Sequence, residues 1–520
     1  MATASGSMLP HPPLEGSARL WGTIALSAAT FMNVLDTSIA NVSLPAIAGD
    51  LGVSPNQGTW VITSFAVANA IAVPLTGWLS QRFGQVRLFI TSVVLFVIAS
   101  WLCGLAPNMA TLIALRALQG FVAGPMIPLS QTLLLASYPK ALAGTAMAMW
   151  AMTTLVAPVM GPLLGGWITD NMTWPWIFYI NIPVGMLAAG ASWMIYHKRE
   201  SETRKLPIDS IGLALLVIWV GAMQVMLDLG KENDWFHSPL VVTLAIVAVV
   251  GLAFFLVWEF TDKHPVVDLS LFKGRNFWAG AVATAVGYGL FFGNVVLLPL
   301  WLQQYMGYTA TDAGMVTAPV GLMALLLSPI VGKTIHKVDP RRYATVAFLV
   351  FALVLYMRSR FNTQADVFTI LVPTLVQGVA MALFFVPLVT ITLSGLPPSR
   401  LPAASGLSNF MRITAGAIGT SVVTTVWENR ASLHHAQLAE AVSRGSPAAD
   451  AMAGLSTLGL SPGQALAQMN RLIDQQSFML AANDVFYASA IIFMLLIPLV
   501  WLARPTVASP GSADAAAGAH

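Results

Sequence analysis

Apolar residues in this chain occur in long runs separated by short polar connections. A helix needs about 20 apolar residues to cross a bilayer, and fourteen runs reach that length. They lie at 20–45, 58–80, 87–106, 110–137, 142–166, 176–196, 210–229, 239–260, 277–302, 313–333, 343–361, 366–395, 405–428 and 483–503. The pattern predicts an all-α membrane protein with fourteen transmembrane helices and both termini on one side.

The composition supports a polytopic membrane protein. The chain is 57% hydrophobic and 9% charged, whereas a soluble domain is about 25% charged. With the termini cytoplasmic, 17 of the 25 Lys and Arg residues lie on the cytoplasmic side. Six, including Arg358, lie outside, and Arg116 and Arg412 lie within spans. The positive-inside rule therefore predicts cytoplasmic termini in a multi-pass inner (plasma) membrane protein, and the net charge of +3 needs no nucleic-acid partner.

The chain contains an internal repeat. The elements Pro74, Gly77, Arg82 and Arg87 recur 255 residues later as Pro329, Gly332, Lys337 and Arg342, while Gln119-Gly120 recurs as Gln377-Gly378, and Pro45 as Pro299. Paired halves with a site between them are a transporter architecture that works by rocking. We predict a cytoplasmic tail (1–19), a six-helix bundle (20–196), two inserted helices (210–260), a second six-helix bundle (277–503) with a periplasmic loop (429–482), and a cytoplasmic tail (504–520).

Asp36 is the only ionisable residue in the first apolar run. A carboxylate at membrane depth costs several kcal/mol unless it is protonated, paired or facing water. An acid retained there indicates a functional site, and a titratable one indicates proton handling. The alternative is that Asp36 only pairs or caps within the bundle.

Arg116 lies in the fourth span at a depth similar to that of Asp36, about 10–13 Å from the outer face at 1.5 Å per residue. The two side chains can meet directly or through Gln119. A conformational change that separates or dries this pair would load or release a proton. Alternatively, Arg116 is a fixed ion-pair strut. The repeat places Leu290 and Thr374 at the equivalent positions, so the pair belongs to the N-terminal half alone.

Methionine and aromatic residues of spans 1, 4, 9 and 12 suit a pocket for varied lipophilic ligands. The predicted substrate cavity comprises Phe31, Asn33, Gln119, Met126, Phe291, Phe292, Asn294, Gln377, Met381, Phe384, Phe385 and Arg412. Each of the apolar residues would otherwise be a core or lipid-facing residue. Arg412 lies two turns inside the thirteenth span, where it either snorkels to the surface or attracts anionic substrates.

Two motifs are candidates for conformational control. Gly77, Arg82, Gly84 and Arg87 form a tight basic turn that either locks one state or anchors the protein at the membrane surface. Pro158, Gly161, Pro162, Gly165 and Gly166 give span five kinks and small-residue faces, so it is either a hinge or a plain packing helix. In the 429–482 loop, an apolar stripe at Ala465, Leu466, Met469, Leu472 and Ile473 either packs on the membrane or bundle, or docks a periplasmic partner.

Enzyme motifs are missing from the sequence. There is no HExxH, CxxC or GxSxG, and the single cysteine, Cys103, excludes an internal disulfide or a thiolate cluster. We therefore expect no catalytic residues, metal or cofactor, and we expect coupling to an ion gradient. A receptor or assembly scaffold would need neither the duplicated halves nor Asp36.

Several segments resemble motifs of the fourteen-helix drug:proton antiporters of the major facilitator superfamily, specifically the EmrB-like branch. They are Leu35–Pro45, Gly77–Arg87, Leu115–Gly120, Gly161–Gly166, Trp167–Pro183 and Ser408–Arg430. The chain departs from the pattern at Ser80, where many members carry Asp, and at Ala148 and Ala157, which replace motif glycines.

The resemblance implies a major facilitator fold and export of lipophilic, often weakly acidic toxicants in exchange for protons. It also implies a periplasmic adaptor (membrane fusion protein) and an outer-membrane channel, and it assigns Asp36 and Arg116 to proton coupling. The expected partners are thus small lipophilic substrates, protons, membrane lipids and these two proteins. Export of an endogenous metabolite, such as a siderophore or organic acid, is the alternative.

Overall fold

The computed structural model describes residues 11–139, 142–204, 207, 209–231, 233–262, 265–335, 337–441 and 461–505. These residues form helices and connections without a strand. A helical unit lies at each of the fourteen predicted positions. The units are α1 (Gly16–Asp50), α2 (Trp60–Ala72 and Thr76–Phe83), α3 (Gln85–Gly104), α4 (Met109–Ala123 and Met126–Ser137), α5 (Ala143–Asn171), α6 (Trp176–Tyr179 and Asn181–Tyr196), α7 (Ser210–Gly230), α8 (Pro239–Thr261), α9 (Arg275–Tyr305), α10 (Ala310–Thr317 and Pro319–Thr334), α11 (Pro340–Arg358), α12 (Val367–Leu393), α13 (Leu401–Ala441) and α14 (Pro462–Trp501).

The predicted all-helical membrane fold is confirmed. Within the described residues, 11 helical stretches are long and apolar enough to cross a membrane, and a twelfth is α2, bent by 62°. Pro74 lies at that bend, where a proline removes one helical hydrogen bond and clashes with the preceding turn. The remaining two units, α5 and α13, carry more small and polar residues. The count of fourteen spans is consistent with this structure and stays a prediction.

The two sets of six helices pack in the same pattern. In the first set, α1 contacts α5 and α6, α2 contacts α4, and α3 contacts α4 and α6. In the second set, α9 contacts α13 and α14, α10 contacts α12, and α11 contacts α12 and α14. Each contact in the first set thus has a counterpart eight helices later, as the repeat in the sequence predicts. The exact domain boundaries remain predictions.

Both described ends of the chain lie at one end of the bundle, here called the terminal face. The backbone N–H of Leu14 donates to the carbonyl of Ser137 at the end of α4 (2.9 Å). At the other end of the chain, Arg341 Nη1 donates to the carbonyl of Ala503 (3.0 Å), which places the end of α14 beside the start of α11.

Small residues bring the two halves together near the terminal face. A Cβ built on Gly77 of α2 would lie 2.6 Å from the Cβ of Ala403 in α13. A Cβ built on Gly332 of α10 would lie 2.6 Å from the Cβ of Ala148 in α5. Both glycines and both alanines are related by the same offset of 255 residues. The two seams between the halves are therefore matched contacts, and Ala148, which replaces a motif glycine, is part of one.

The first inserted helix, α7, lies against the α2–α13 seam. Ser421 Oγ of α13 donates to the carbonyl of Leu227 in α7 (3.2 Å), and Lys231 beside α7 pairs with Glu428 (2.7 Å). On the other side, Thr63 of α2 donates to Asp228 of α7. The helix α7 therefore contacts both halves.

The described parts of the predicted 429–482 loop, residues 429–441 and 461–482, are largely helical. The helix α13 continues to Ala441, and α14 begins at Pro462 after a capping box made by Ser461 and Gln464. Asp484 ties the two helices together through Arg430 (2.6 Å) and His434 (2.8 Å). Ser446-Pro447, predicted to break this loop, lies outside the described residues. We call the paired segments 429–441 and 462–482 the helical extension.

Candidate functional site

Asp36 and Arg116 meet inside the first bundle, as the sequence predicts. Arg116 Nη1 lies 2.6 Å from Asp36 Oδ2, and the exposed fractions of the two residues are 0% and 2%. Asp36 is on α1 and Arg116 on α4, so the ion pair joins two helices that the chain separates by 80 positions. The pair is shielded from solvent, so each charge is compensated by the other and not by water.

The carboxylate of Asp36 accepts two further hydrogen bonds. They come from Gln119 Nε2 (3.1 Å) and Asn181 Nδ2 (2.7 Å), and both donors also bond Ser100 Oγ, at 2.7 Å and 2.9 Å. Sequence reasoning identified Gln119 but missed Asn181 and Ser100. Asn181 belongs to the Trp167–Pro183 motif, which was the available signal. The closed network spans α1, α3, α4 and α6.

The guanidinium of Arg116 is held on several sides. Its Nη1 also donates to Gln119 Oε1 (2.7 Å), and its Nε donates to the carbonyl of Val61 (3.1 Å). Its carbon centre lies 4.4 Å from the ring centroid of Phe65 and 5.5 Å from that of Phe178. Its Nη2 is buried and has no hydrogen-bond partner among the described residues. Arg116 is therefore fixed in place, with the NH2 group at Nη2 unsatisfied.

The second bundle also buries an arginine, which corrects the sequence analysis. Arg358 was counted among the outer cations, but it is 1% exposed and donates to Gln377 Oε1 (2.6 Å) and Thr374 Oγ1 (3.4 Å). Arg358, Thr374 and Gln377 are 258 residues from Ser100, Arg116 and Gln119. The buried arginine thus lies on the fourth helix of the first bundle but on the third helix of the second bundle. No acid pairs with Arg358 among the described residues.

A cavity of about 1080 Å³ opens at the terminal face. We call it the vestibule. Its walls come from the ends of α4 and α6, the start of α5, and the terminal-face ends of α10 to α13. Thr132, Leu133 and Met147 line it in the first half, and Val389 and Leu393 in the second. Both halves therefore contribute to one large space.

Arg412 lies deeper along α13 than the vestibule. It is 8% exposed, its Nη2 donates to Asn409 Oδ1 (2.9 Å), and its carbon centre lies 4.9 Å from the ring centroid of Tyr288. The snorkelling alternative for Arg412 is therefore wrong. Asn409 Nδ2 in turn donates to Gln131 Oε1 of α4 (3.1 Å), as does Ser405. This polar chain joins the two bundles.

Comparison with known proteins agrees with this geometry. The model of the Major Facilitator Superfamily matches residues 26–420. The chain belongs to that family. It is 52% identical over 515 residues to the multidrug export protein EmrB of Escherichia coli K12, covering 99% of this chain and 100% of that protein. These findings place the chain in the EmrB-like branch, among transporters rather than enzymes.

Two further proteins are similar over almost the whole chain. The fatty acid resistance protein FarB of Neisseria gonorrhoeae is 51% identical over 504 residues, covering 97% of this chain and 99% of that protein. The crystal structure of the human organic anion transporter MFSD10 (TETRAN) has a TM-score of 0.61 at 14% identity, covering 94% of this chain and 100% of that chain. The second likeness shows the fold alone.

Most of the predicted cavity residues of this superfamily member are packed within the bundles. Phe385 and Arg412 line a small cavity beside the vestibule. Met126, Met381 and Phe384 lie in the core, Phe31 and Phe291 are half-buried against core clusters, and Phe292 stacks on Tyr288. The polar residues have partners within the protein: Gln377 accepts a hydrogen bond from Arg358, and Asn33 donates to the carbonyl of Ala123. Asn294 donates to the carbonyl of Leu290 and to Ser489. Their roles in substrate binding stay predictions.

The conformational motifs occupy helix contacts and a turn. Gly161 faces Ser38, and Gly165 faces Ile39, so α5 packs closely on α1. Pro158 is exposed, and a Cβ on Gly166 would meet nothing within 4 Å. Pro162 lies within α5. Gly84 has φ +89°, a region that favours glycine. The guanidinium carbon of Arg82 lies 5.5 Å from the ring centroid of Trp78. The backbone N–H of Arg87 donates a hydrogen bond to the carboxylate of Glu200 (2.8 Å).

Proposed function

We propose that this chain is a proton-coupled exporter of lipophilic compounds that works by alternating access. Membership of the Major Facilitator Superfamily and the multidrug export function in the name of a relative at 52% identity support it. The observation that carries the proposal is the buried Asp36–Arg116 pair with its amide donors. A proton-coupled exporter needs one titratable group whose charge state changes the packing of several helices.

In the proposed mechanism, Asp36 is the proton carrier. When Asp36 is ionised, Arg116, Gln119 and Asn181 all donate to it and hold α1, α4 and α6 together. A proton on Asp36 removes its charge, so Arg116 becomes a buried cation without an anion. Such a cation costs several kcal/mol. The protonated network therefore favours a different arrangement of these helices, and the two halves rock around the vestibule.

The seams and the basic turn set the resting arrangement in this proposal. Gly77 and Gly332 allow the halves to approach closely at the terminal face, and Gly84, Arg82 and Arg87 shape the adjoining turn. Span five, with Gly161 and Gly165 against α1, transmits movement of the helix that carries Asp36. Substrate occupies the vestibule and the region around Phe385 and Arg412 before it is released at the opposite face.

We further propose an inner-membrane location with both termini cytoplasmic. The excess of basic residues at the terminal face supports this orientation. The vestibule would then admit substrate from the cytoplasm or the inner leaflet. The helical extension lies at the opposite, periplasmic face, where a periplasmic adaptor and an outer-membrane channel would complete export across two membranes.

Transport in everted membrane vesicles tests the proposal. With wild-type chain, addition of a lipophilic substrate should dissipate an imposed pH gradient, and Asp36→Asn should abolish this with normal expression. Glu202→Gln, which removes an exposed carboxylate between α6 and α7, is the matched control and should behave as wild type. Substrate uptake into the vesicles that dissipates no pH gradient would contradict the mechanism. So would an Asp36→Asn variant in which substrate still dissipates the gradient fully.

A further inference from the structure

Arg412 is a buried cation that has no counter-ion among the described residues. Its contacts are the amide oxygen of Asn409 and the faces of Tyr288 and Phe385, at 4.9 Å and 5.8 Å from the guanidinium carbon. No carboxylate pairs with it among the described residues. Buried charges are normally paired because the loss of hydration is otherwise uncompensated. The protein thus maintains a costly positive charge next to the interface of its two halves.

The other two buried arginines have different surroundings. Arg116 has Asp36 as its anion. Arg358 lies between α11 and α12, where Gln377 and Thr374 accept its hydrogen bonds. Arg412, in contrast, lines a cavity of about 20 Å³ together with residues of both halves. Among these three arginines, it is the one without an anion that also faces a cavity between the bundles.

This small cavity adjoins the vestibule. Val389 and Leu393 line both cavities, so these two aliphatic side chains form the partition between them. The vestibule volume of about 1080 Å³ slightly exceeds the usual range for small-molecule sites, about 300–1,000 Å³. The two spaces connect only if one of these side chains moves, and the guanidinium of Arg412 lies on the far side of them from the vestibule.

We propose that Arg412 is the headgroup site for amphiphilic organic anions. A carboxylate or a similar anionic group is bound by the planar fork of Arg412, and the apolar part of the molecule occupies the vestibule. The same charge repels lipophilic cations of equal size. This assignment rests on the proposed function, because it names the residue by which the exporter's cavity would select the headgroup charge of its substrates.

A purely structural role for Arg412 has different consequences. A guanidinium that only links α13 to Tyr288 of α9 would affect folding but not the choice of headgroup. Selectivity by charge therefore separates the two roles. Binding can be measured on the purified chain without a proton gradient, so its outcome does not depend on whether transport is coupled to protons.

The experiment compares three ligands that share one alkyl chain: octanoate, octanol and octyltrimethylammonium. Binding to the full-length chain in lipid nanodiscs is measured by calorimetry at neutral pH. Wild type should bind octanoate at least about tenfold more tightly than octanol, since a hydrogen-bonded charge contributes about 1.5–3 kcal/mol, where 1.4 kcal/mol is tenfold. Octyltrimethylammonium should bind most weakly.

Three variants place the selectivity on Arg412. Arg412→Gln should bind octanoate and octanol equally, and Arg412→Lys should recover part of the preference. Leu393→Glu supplies an internal anion in the partition and should abolish the preference while Arg412 is still present, which covers the case in which Arg412→Gln does not fold. Arg360→Gln, which removes an exposed arginine that contacts Tyr356, should behave as wild type.

Two results would overturn the proposal. They are a folded Arg412→Gln that keeps the octanoate preference, and a wild type that binds octyltrimethylammonium as tightly as octanoate. If the octanoate preference holds while vesicles show no proton-coupled efflux, the headgroup site stands and the proposed transport mechanism fails. If efflux is coupled to protons but headgroup charge has no effect on binding, the proposed transport mechanism stands and the headgroup site fails.

Discussion

At the scale of single residues, the free energy of the buried centre depends on the balance between one acid and one base. Asp36 loses its hydration on burial and regains hydrogen bonds from Arg116, Gln119 and Asn181. Of these donors, Arg116 alone is charged. Breaking a buried pair by removing one partner costs about 3–5 kcal/mol, because the other charge stays behind.

The double variant Arg116→Gln/Asp36→Asn should therefore be more stable than Arg116→Gln alone. We expect Arg116→Gln to destabilise the protein by about 3–5 kcal/mol, and Asp36→Asn on that background to restore about 1–3 kcal/mol. Melting temperatures of the purified chain, measured in one detergent at one heating rate, check the order. Arg360→Gln is the control. A double variant that melts below Arg116→Gln would mean that Asp36 is not stabilised as an anion.

The residue scale also shows where sequence reasoning reached its limit. Asp36 and Arg116 could be predicted because a charge within an apolar run has few stable solutions. Asn181 lies in a recognised motif, but the apolar pattern alone does not single it out, because an uncharged amide near the end of a span resembles many interfacial residues. Arg358 was misplaced because it lies at the end of α11, and its burial depends on the neighbouring helix that supplies Gln377.

At the scale of elements, the two seams make a paired prediction. A methyl group at Gly332 would lie 2.8 Å from the carbonyl oxygen of Gly144 as well as against Ala148. At Gly77 it would lie 2.8 Å from the Cα of Ala403. Backbone atoms cannot turn aside as a flexible side chain can, so the helices must separate.

Gly77→Ala and Gly332→Ala should each destabilise the protein by about 1–3 kcal/mol, the usual cost of overpacking. Gly190→Ala in α6 is the matched control, since a Cβ there meets nothing within 4 Å, and alanine also favours the helix. Thermal unfolding of the three variants checks the expected order. A Gly332→Ala protein as stable as Gly190→Ala would show that the α5–α10 seam is not tightly closed.

The positions of the helices could be predicted from the sequence, but their ends could not. Runs of apolar residues located the helices because a spanning helix must satisfy its backbone internally and present apolar side chains to lipid. The ends were less predictable: α13 and α14 continue well beyond their apolar runs. Pairing between the two helices, through Arg430 and Asp484, stabilises those turns. A pattern within one segment does not reveal such tertiary contacts.

At the scale of the whole molecule, the helical extension is the largest described structure outside the predicted spans. From residue 462 to 482, α14 extends about 30 Å at 1.5 Å per residue. Ala465 and Met469 of the predicted apolar stripe are buried, with exposed fractions of 1% and 7%, and they account for the packing of the extension. Leu466 and Leu472 are 60% and 43% exposed. The stripe therefore divides into a packed side and two exposed leucines.

If these leucines dock the periplasmic adaptor, Leu466→Asp with Leu472→Asp should disrupt that contact and nothing else. We expect the double variant to lose co-purification with the adaptor and drug resistance in intact cells, while proton-coupled uptake in everted vesicles is retained. Under the proposed function, resistance needs passage across two membranes, whereas uptake into vesicles needs only this chain. Phe236→Asp changes an exposed residue, 65% accessible, between α7 and α8 on the same face. It should leave all three measurements unchanged, and equal loss of adaptor binding in this control would remove the extension as the specific docking surface.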